Sequence, residues 1–155
     1  MKTFAMFAVL SLAVAGAVGA ADRSASDAYL PGFGEFMSAT QMRHAKLWFA
    51  GDARNWELAA FELDEIKEGL EDATRLHPTH EGVPVADMIK ANLDAPLSGL
   101  AKAIEAKDKN GFTRAFDVLT AACNACHAAA SHGFIRIQRP TAAPVSNQVF
   151  APEGK

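Results

Sequence analysis

Cys123 and Cys126 are the only cysteines of the chain, separated by Asn124 and Ala125 and followed at once by His127. Two thiols at this spacing can do three kinds of chemistry. They can cycle as a redox dithiol or disulfide, ligate a metal, or form thioethers with the two vinyl groups on one edge of a porphyrin. The adjacent histidine decides among them, because Cys-x-x-Cys-His is the attachment signature of a c-type haem. In that chemistry the imidazole swings beneath the ring as the proximal iron ligand. On a helix, Cys123 and His127 are four apart and share a face, while Cys126 sits one residue round from His127. Zinc would ask for a second cysteine pair, which the chain lacks. A thioredoxin-like dithiol would follow a strand–helix pattern, and none leads into the motif. The reading is one covalent haem c, with its iron, on Cys123, Cys126 and His127.

Four helical segments must position that motif. The first is predicted from about Gly34 to Ala50, with Met37, Gln41, His44 and Trp48 on one face at spacings of four, three and four. Asn55 is a plausible N-cap for the second. There Trp56, Ala59, Leu63, Ile66, Leu70 and Ala73 form a heptad-like seam, which Leu58 and Phe61 widen. The third starts near Val83-Pro84 and buries Ile89, Leu93, Leu97, Leu100 and Ile104, with Pro96 predicting a kink or two shorter helices. After the connection Lys107–Gly111, the fourth repeats Phe112, Phe116, Leu119, Cys123, Cys126 and Ala130 on its inner stripe. Gly133 is the expected C-cap, and His132, five residues after His127, is expected to point away from it. The fold class is all-α, an antiparallel four-helix bundle over residues 34–132. An irregular lead spans 21–33 and an irregular C-terminal strap spans 133–155.

The sixth iron position is the open question. In an antiparallel bundle the first helix runs beside the fourth, which sets Met37 level with His127. His44 lies seven residues further along, about 10 Å at 1.5 Å per residue. Met42 falls on a different part of the helix surface. Met37 is therefore the preferred ligand, with His44, Met42 and an open site as alternatives. His77 and His80 read as loop histidines, since Pro78 breaks the helix that would align them. In the strap, Phe134, Ile135 and Ile137 predict packing against the bundle, and Arg136 and Arg139 could pair with haem propionates or stay solvated. The second helix carries a strongly acidic outer face, read as solvated surface or as a docking patch for a basic partner.

Met1 to about Ala20 reads as a cleavable leader. Lys2 precedes an apolar run from Phe4 to Val18, and Val18-Gly19-Ala20 offers small residues for cleavage. A membrane anchor is the alternative, disfavoured by the Ala/Gly-rich run and the polar Asp22-Arg23-Ser24 after it. The expectation is a protein without a stable anchor after cleavage. Losing Lys2 takes the formal charge from −3 to −4, a balance that argues against nucleic acid as a partner. About 135 residues remain, enough for one domain with a core. The oligomeric state stays open, a homodimer included.

The helix order and the place of Cys-x-x-Cys-His on the last helix resemble the cytochrome c′ architecture over roughly residues 34–132. A narrower resemblance is carried by Gln41-Met42-Arg43-His44-Ala45-Lys46-Leu47-Trp48, Asn55-Trp56-Glu57-Leu58-Ala59 and His132-Gly133-Phe134-Ile135-Arg136-Ile137. These are similar to a group of small proteobacterial c-type haem proteins. The chain departs from cytochrome c′ in its Pro-rich tail beyond the haem helix. The resemblance implies periplasmic location and an electron carrier whose partners are other periplasmic redox proteins. Its alternative is a five-coordinate haem protein that binds or senses NO or CO. A peroxidase is disfavoured, because consecutive Arg43 and His44 point about a hundred degrees apart on a helix. N-terminal sequencing of the exported protein should begin near Ala21. A chain still starting at Met1 would overturn the leader.

Overall fold

Short polar side chains start two of the helices. The computed structural model describes residues 29–154, so the leader (1–20) and most of the lead (21–33) lie outside the described residues. From Pro31 onward the chain forms one compact unit, and of the unit before it only Tyr29 and Leu30 are described. The helices are α1 (Phe33–Asp52), α2 (Trp56–Leu76), α3 (Val85–Glu105) and α4 (Lys109–Ala129), with no strand among the described residues. Asn55 Oδ1 accepts the Leu58 amide at 3.2 Å to cap α2, as its sequence position suggested. Asp108 does the same for α4 through the Asn110 amide. Pro96 sits inside α3 without dividing it, so of the two expectations, a kink or two shorter helices, the second does not occur.

Three helices end alike. After α1, α3 and α4 a residue with positive φ turns the chain: Arg54 (59°), Lys107 (53°) and Ser131 (62°). At each, the turning amide and the one after it return to carbonyls of the last helical turn, the paired bonds of a Schellman motif. The α4 terminator is therefore Ser131, two residues before the expected Gly133. Glycine is the usual occupant because a β-carbon is strained there. In these three turns the two recovered hydrogen bonds offset that strain.

The helices pack as a ring of neighbours, α1 on α2, α2 on α3, α3 on α4 and α4 on α1, an arrangement consistent with a four-helix bundle. The predicted seam of α2 is buried at Ala59, Leu63, Ile66, Leu70 and Ala73. One expectation for α2 is reversed. Phe61 is half exposed, and its neighbour Glu62 is buried at 1 % exposure. Arg43 of α1 accounts for both, with Nη1 3.1 Å from Glu62, Nη2 2.7 Å from Glu65 and its guanidinium 5.6 Å from the Phe61 ring centre. The buried carboxylate holds a partner and the phenyl ring covers the pair from outside.

Between α1 and α4 lies an aromatic layer. Phe112 and Phe116 are fully buried, with Trp48 5.0 Å from Phe116 and Trp56 6.0 Å from Phe112, ring centre to ring centre. Phe112 seats itself where α1 has no side chain: a β-carbon at Gly51 would fall 2.1 Å from the ring. From Gly133 to Gly154 the chain is neither helix nor strand. It is tied down at Asp117 and Trp48 through Arg139, at Phe49 through Phe150, and at Asn55 through the Ala151 carbonyl. No helix among the described residues is long and apolar enough to cross a membrane. Gly51→Ala should lower the unfolding free energy by about 1–3 kcal/mol, the cost of overpacking a filled core. Urea unfolding checks this, and an unchanged midpoint would mean that Phe112 moves aside freely.

Candidate functional site

The inner stripe of α4 ends in a cavity. Its residues Leu119, Cys123, Cys126 and His127 wall a pocket of about 420 Å³, within the range of small-molecule and cofactor sites. α1 contributes Met37, Gln41 and His44; α2 and α3 contribute Ile66, Leu70, Ile89 and Leu93; the strap closes one side with Ile135 and Ile137. The wall is predominantly apolar. The motif and two of the three candidate ligands from α1 therefore face one space. Met42 does not line it and is 41 % exposed.

The thiols are unbridged and sit half-buried against the core. Burial pushes the Cys123 thiol up to about 11, with the neighbouring Cys126 adding to the effect, and burial raises Cys126 as well. Reactive dithiols work the other way, through a lowered pKa that supplies thiolate near neutral pH. Among the described residues no cluster of three or more His, Cys, Asp or Glu could hold a metal ion.

His127 has a defined tautomer. Its Nδ1 lies 3.1 Å from the Ile135 carbonyl, and a carbonyl only accepts, so Nδ1 carries a proton and Nε2 is the lone-pair nitrogen of the neutral ring. The same reasoning applies to His44. Thr120 Oγ1 is 2.9 Å from the Phe116 carbonyl and 2.9 Å from His44 Nε2. A hydroxyl has one hydrogen, so both bonds exist together only if Nε2 is the donor. His44 Nδ1 is then the acceptor nitrogen. Burial drives the imidazolium down to a pKa of about 4, so this ring is neutral near pH 7.

These residues fit a covalently attached haem. Two thiols and an imidazole with a free Nε2 come from one helical stretch, and they open on a concave apolar wall. Haem would supply one-electron chemistry at its iron; Cys123 and Cys126 would hold its edge and His127 would provide a nitrogen ligand. The arginines of the strap stand elsewhere. Arg139 makes a two-oxygen contact with Asp117 at 2.6 and 2.7 Å and lies 4.4 Å over the Trp48 ring, and Arg136 is exposed; neither lines the cavity.

Several expectations change. His132 lines the cavity with His127, because the Ser131 turn folds it back, and its Nδ1 lies 2.7 Å from the Ala130 carbonyl. His80 also lines the cavity and stacks on Phe33 at 4.7 Å, while His77 Nε2 donates to the Pro31 carbonyl at 2.8 Å. Phe134 is 79 % and Ile135 40 % exposed, so apolar burial does not hold the start of the strap. Asn124 holds it instead, through both main-chain atoms of Ile137. Nothing in the sequence singled out Asn124 or Thr120, since each acts on a partner from a distant segment. No family model, curated protein or solved structure matches this chain.

The His44 pKa carries a pH dependence. Its folded value lies below the unfolded 6.5, so between about 4 and 6.5 the unfolded chain binds the proton that the folded one refuses. The contribution is complete above 6.5 and is lost as pH falls, on the order of 3 kcal/mol across the window. In urea titrations, His44→Gln should show a shallower loss of stability between pH 6.5 and 4.5 than the parent. Parallel curves would contradict it.

Proposed function

We propose that this chain is a periplasmic monohaem c-type cytochrome that carries electrons, with one haem covalently bound through Cys123 and Cys126 and ligated by His127. One observation carries the reading: both thiols and the imidazole of Cys-x-x-Cys-His open onto a single apolar cavity walled by all four helices. The raised thiol pKa values favour it over a redox dithiol. Other periplasmic redox proteins are its partners in this reading.

The proposed architecture is an antiparallel, cytochrome c′-like bundle. Its support is the order of contacts between α1 and α4. His44 meets Phe116 and Thr120, Trp48 meets Phe116 and Phe112, Gly51 meets Phe112, and Asp52 pairs with Lys109. Residue numbers rise along α1 as they fall along α4. The same register bears on the sixth ligand. His44 sits level with Thr120, seven residues before His127 and so about 10 Å away along α4. Met37 is one such step back along α1, toward the level of His127. We take Met37 as the second axial ligand, and a thioether opposite an imidazole raises the potential in the manner of electron-transfer cytochromes.

No enzymatic role is proposed. Arg43 does not line the cavity and pairs with Glu62 and Glu65, and His44 directs its one ring proton at Thr120, so this reading gives neither a role on a bound peroxide. Absorption spectra of the oxidised and reduced protein, with and without CO, test the assignment. The parent should be low-spin and slow to take CO, and Met37→Ala should be high-spin and bind CO rapidly when reduced. A parent already high-spin would replace the carrier with a five-coordinate small-ligand binder. If His44→Ala, and not Met37→Ala, changes the spin state, the register is wrong.

A further inference from the structure

Asn124 is the first of the two residues between the attachment cysteines, and both polar atoms of its side chain are hydrogen-bonded. Its Oδ1 accepts the Ile137 amide at 2.7 Å, and its Nδ2 donates to the Ile137 carbonyl at 2.8 Å. One carboxamide thus reads both main-chain groups of one strap residue, as a neighbouring β-strand would. Two bonds from one side chain fix the position and the orientation of that peptide together.

Ile137 is one of two fixed points on this part of the strap. The other is His132, whose amide donates to the His127 carbonyl at 2.7 Å in the turn made by Ser131. Between them the Ile135 amide donates to the His132 carbonyl at 2.9 Å, and the Ile135 carbonyl faces His127 Nδ1 at 3.1 Å. Of the segment's side chains, Phe134 and Arg136 are exposed, and Ile135 and Ile137 only edge the cavity, so none is packed deeply enough to fix the peptide's orientation. The exposed Arg139–Asp117 pair further on is of a kind that contributes little. Of these ties, Asn124 is the one that grips the main chain of Ile137 itself.

We propose that Asn124 is a positioning residue for the proximal histidine, clamping the strap at Ile137 so that the Ile135 carbonyl receives the His127 Nδ1 proton. The inference rests on His127 being the iron ligand. A hydrogen bond at Nδ1 fixes the ring's tautomer and rotation and makes Nε2 a stronger donor. A stronger donor favours oxidised iron, so the strap sets the potential downward from what the same ligands would give without it. The segment after the haem helix is thereby part of the iron's environment and not a trailing end.

The test compares the exported haem-loaded protein with Asn124→Ala and, outside the attachment motif, with Ile137→Pro, which removes the amide that Asn124 accepts. The midpoint potential should shift upward in both variants. In a Met37→Ala background, the iron–imidazole stretching band of the reduced protein should move to lower frequency. In a chain ending at Gly133, Asn124→Ala should shift the potential no further, because the strap through which it acts is gone. Covalently loaded variants with the parent's potential and stretching band would overturn the proposal, as would an equal Asn124→Ala shift in the shortened chain. Should Asn124→Ala fail to load haem, Ile137→Pro decides by the same readouts. A parent protein without covalent haem would overturn the underlying reading, an outcome visible in its mass before any potential is measured.

Discussion

The chain leaves α4 through Ser131, whose left-handed backbone turns it back over the helix it has just completed. For a residue other than glycine this conformation costs roughly 1–2 kcal/mol. The turn recovers two carbonyls of the last helical turn, those of Ala128 and His127, which would otherwise lack partners. A helix that continued, or one that ended in an extended exit, would carry residues 132–137 away from the motif. Because the chain reverses, His132, Ile135 and Ile137 come to wall the same cavity as Cys123, Cys126 and His127. The site is completed by chain that follows the motif.

The opposite end of the interior is filled and the cavity end is not. Phe112 and Phe116 with Trp48 and Trp56 occupy the space between α1, α2 and α4, seated on Gly51. Toward the C-terminal end of α4 the inner stripe changes from phenylalanine to leucine and then to cysteine, and the facing positions of α1 are Gln41 and Met37. Smaller and more flexible side chains leave room there. The aliphatic wall is already largely out of water, so an occupant with apolar faces would gain mainly by filling this space and packing against Ile66, Leu70, Ile89, Leu93 and Leu119. The proposed cofactor is therefore a core element as much as a redox centre.

Periodicity made the helices legible. The α2 seam, the Asn55 cap and the inner stripe of α4 were readable because each rests on residues within a turn or two of one another. The misreadings fall where a distant partner decides. Glu62 is buried because Arg43 reaches it from α1, and Phe61 is displaced outward to cover that pair. Gly133 is the obvious helix terminator by residue type, yet Ser131 turns two residues earlier, which also redirects His132 into the cavity. The start of the strap was expected to be held by Phe134, Ile135 and Ile137, yet its firmest tie is the pair of hydrogen bonds from Asn124, a contact that spans thirteen residues and leaves no periodic trace. The Cys-x-x-Cys-His motif was readable from its spacing alone; the carbonyl that fixes its imidazole was not.

Covalent attachment of one haem at Cys123 and Cys126 is read by intact-mass measurement. The protein should be produced in the periplasm of a host that supplies the haem-attachment machinery. A single species heavier than the cleaved polypeptide by one haem is expected, with the added mass lost when both cysteines are changed to serine. A mass equal to the bare cleaved polypeptide would contradict it.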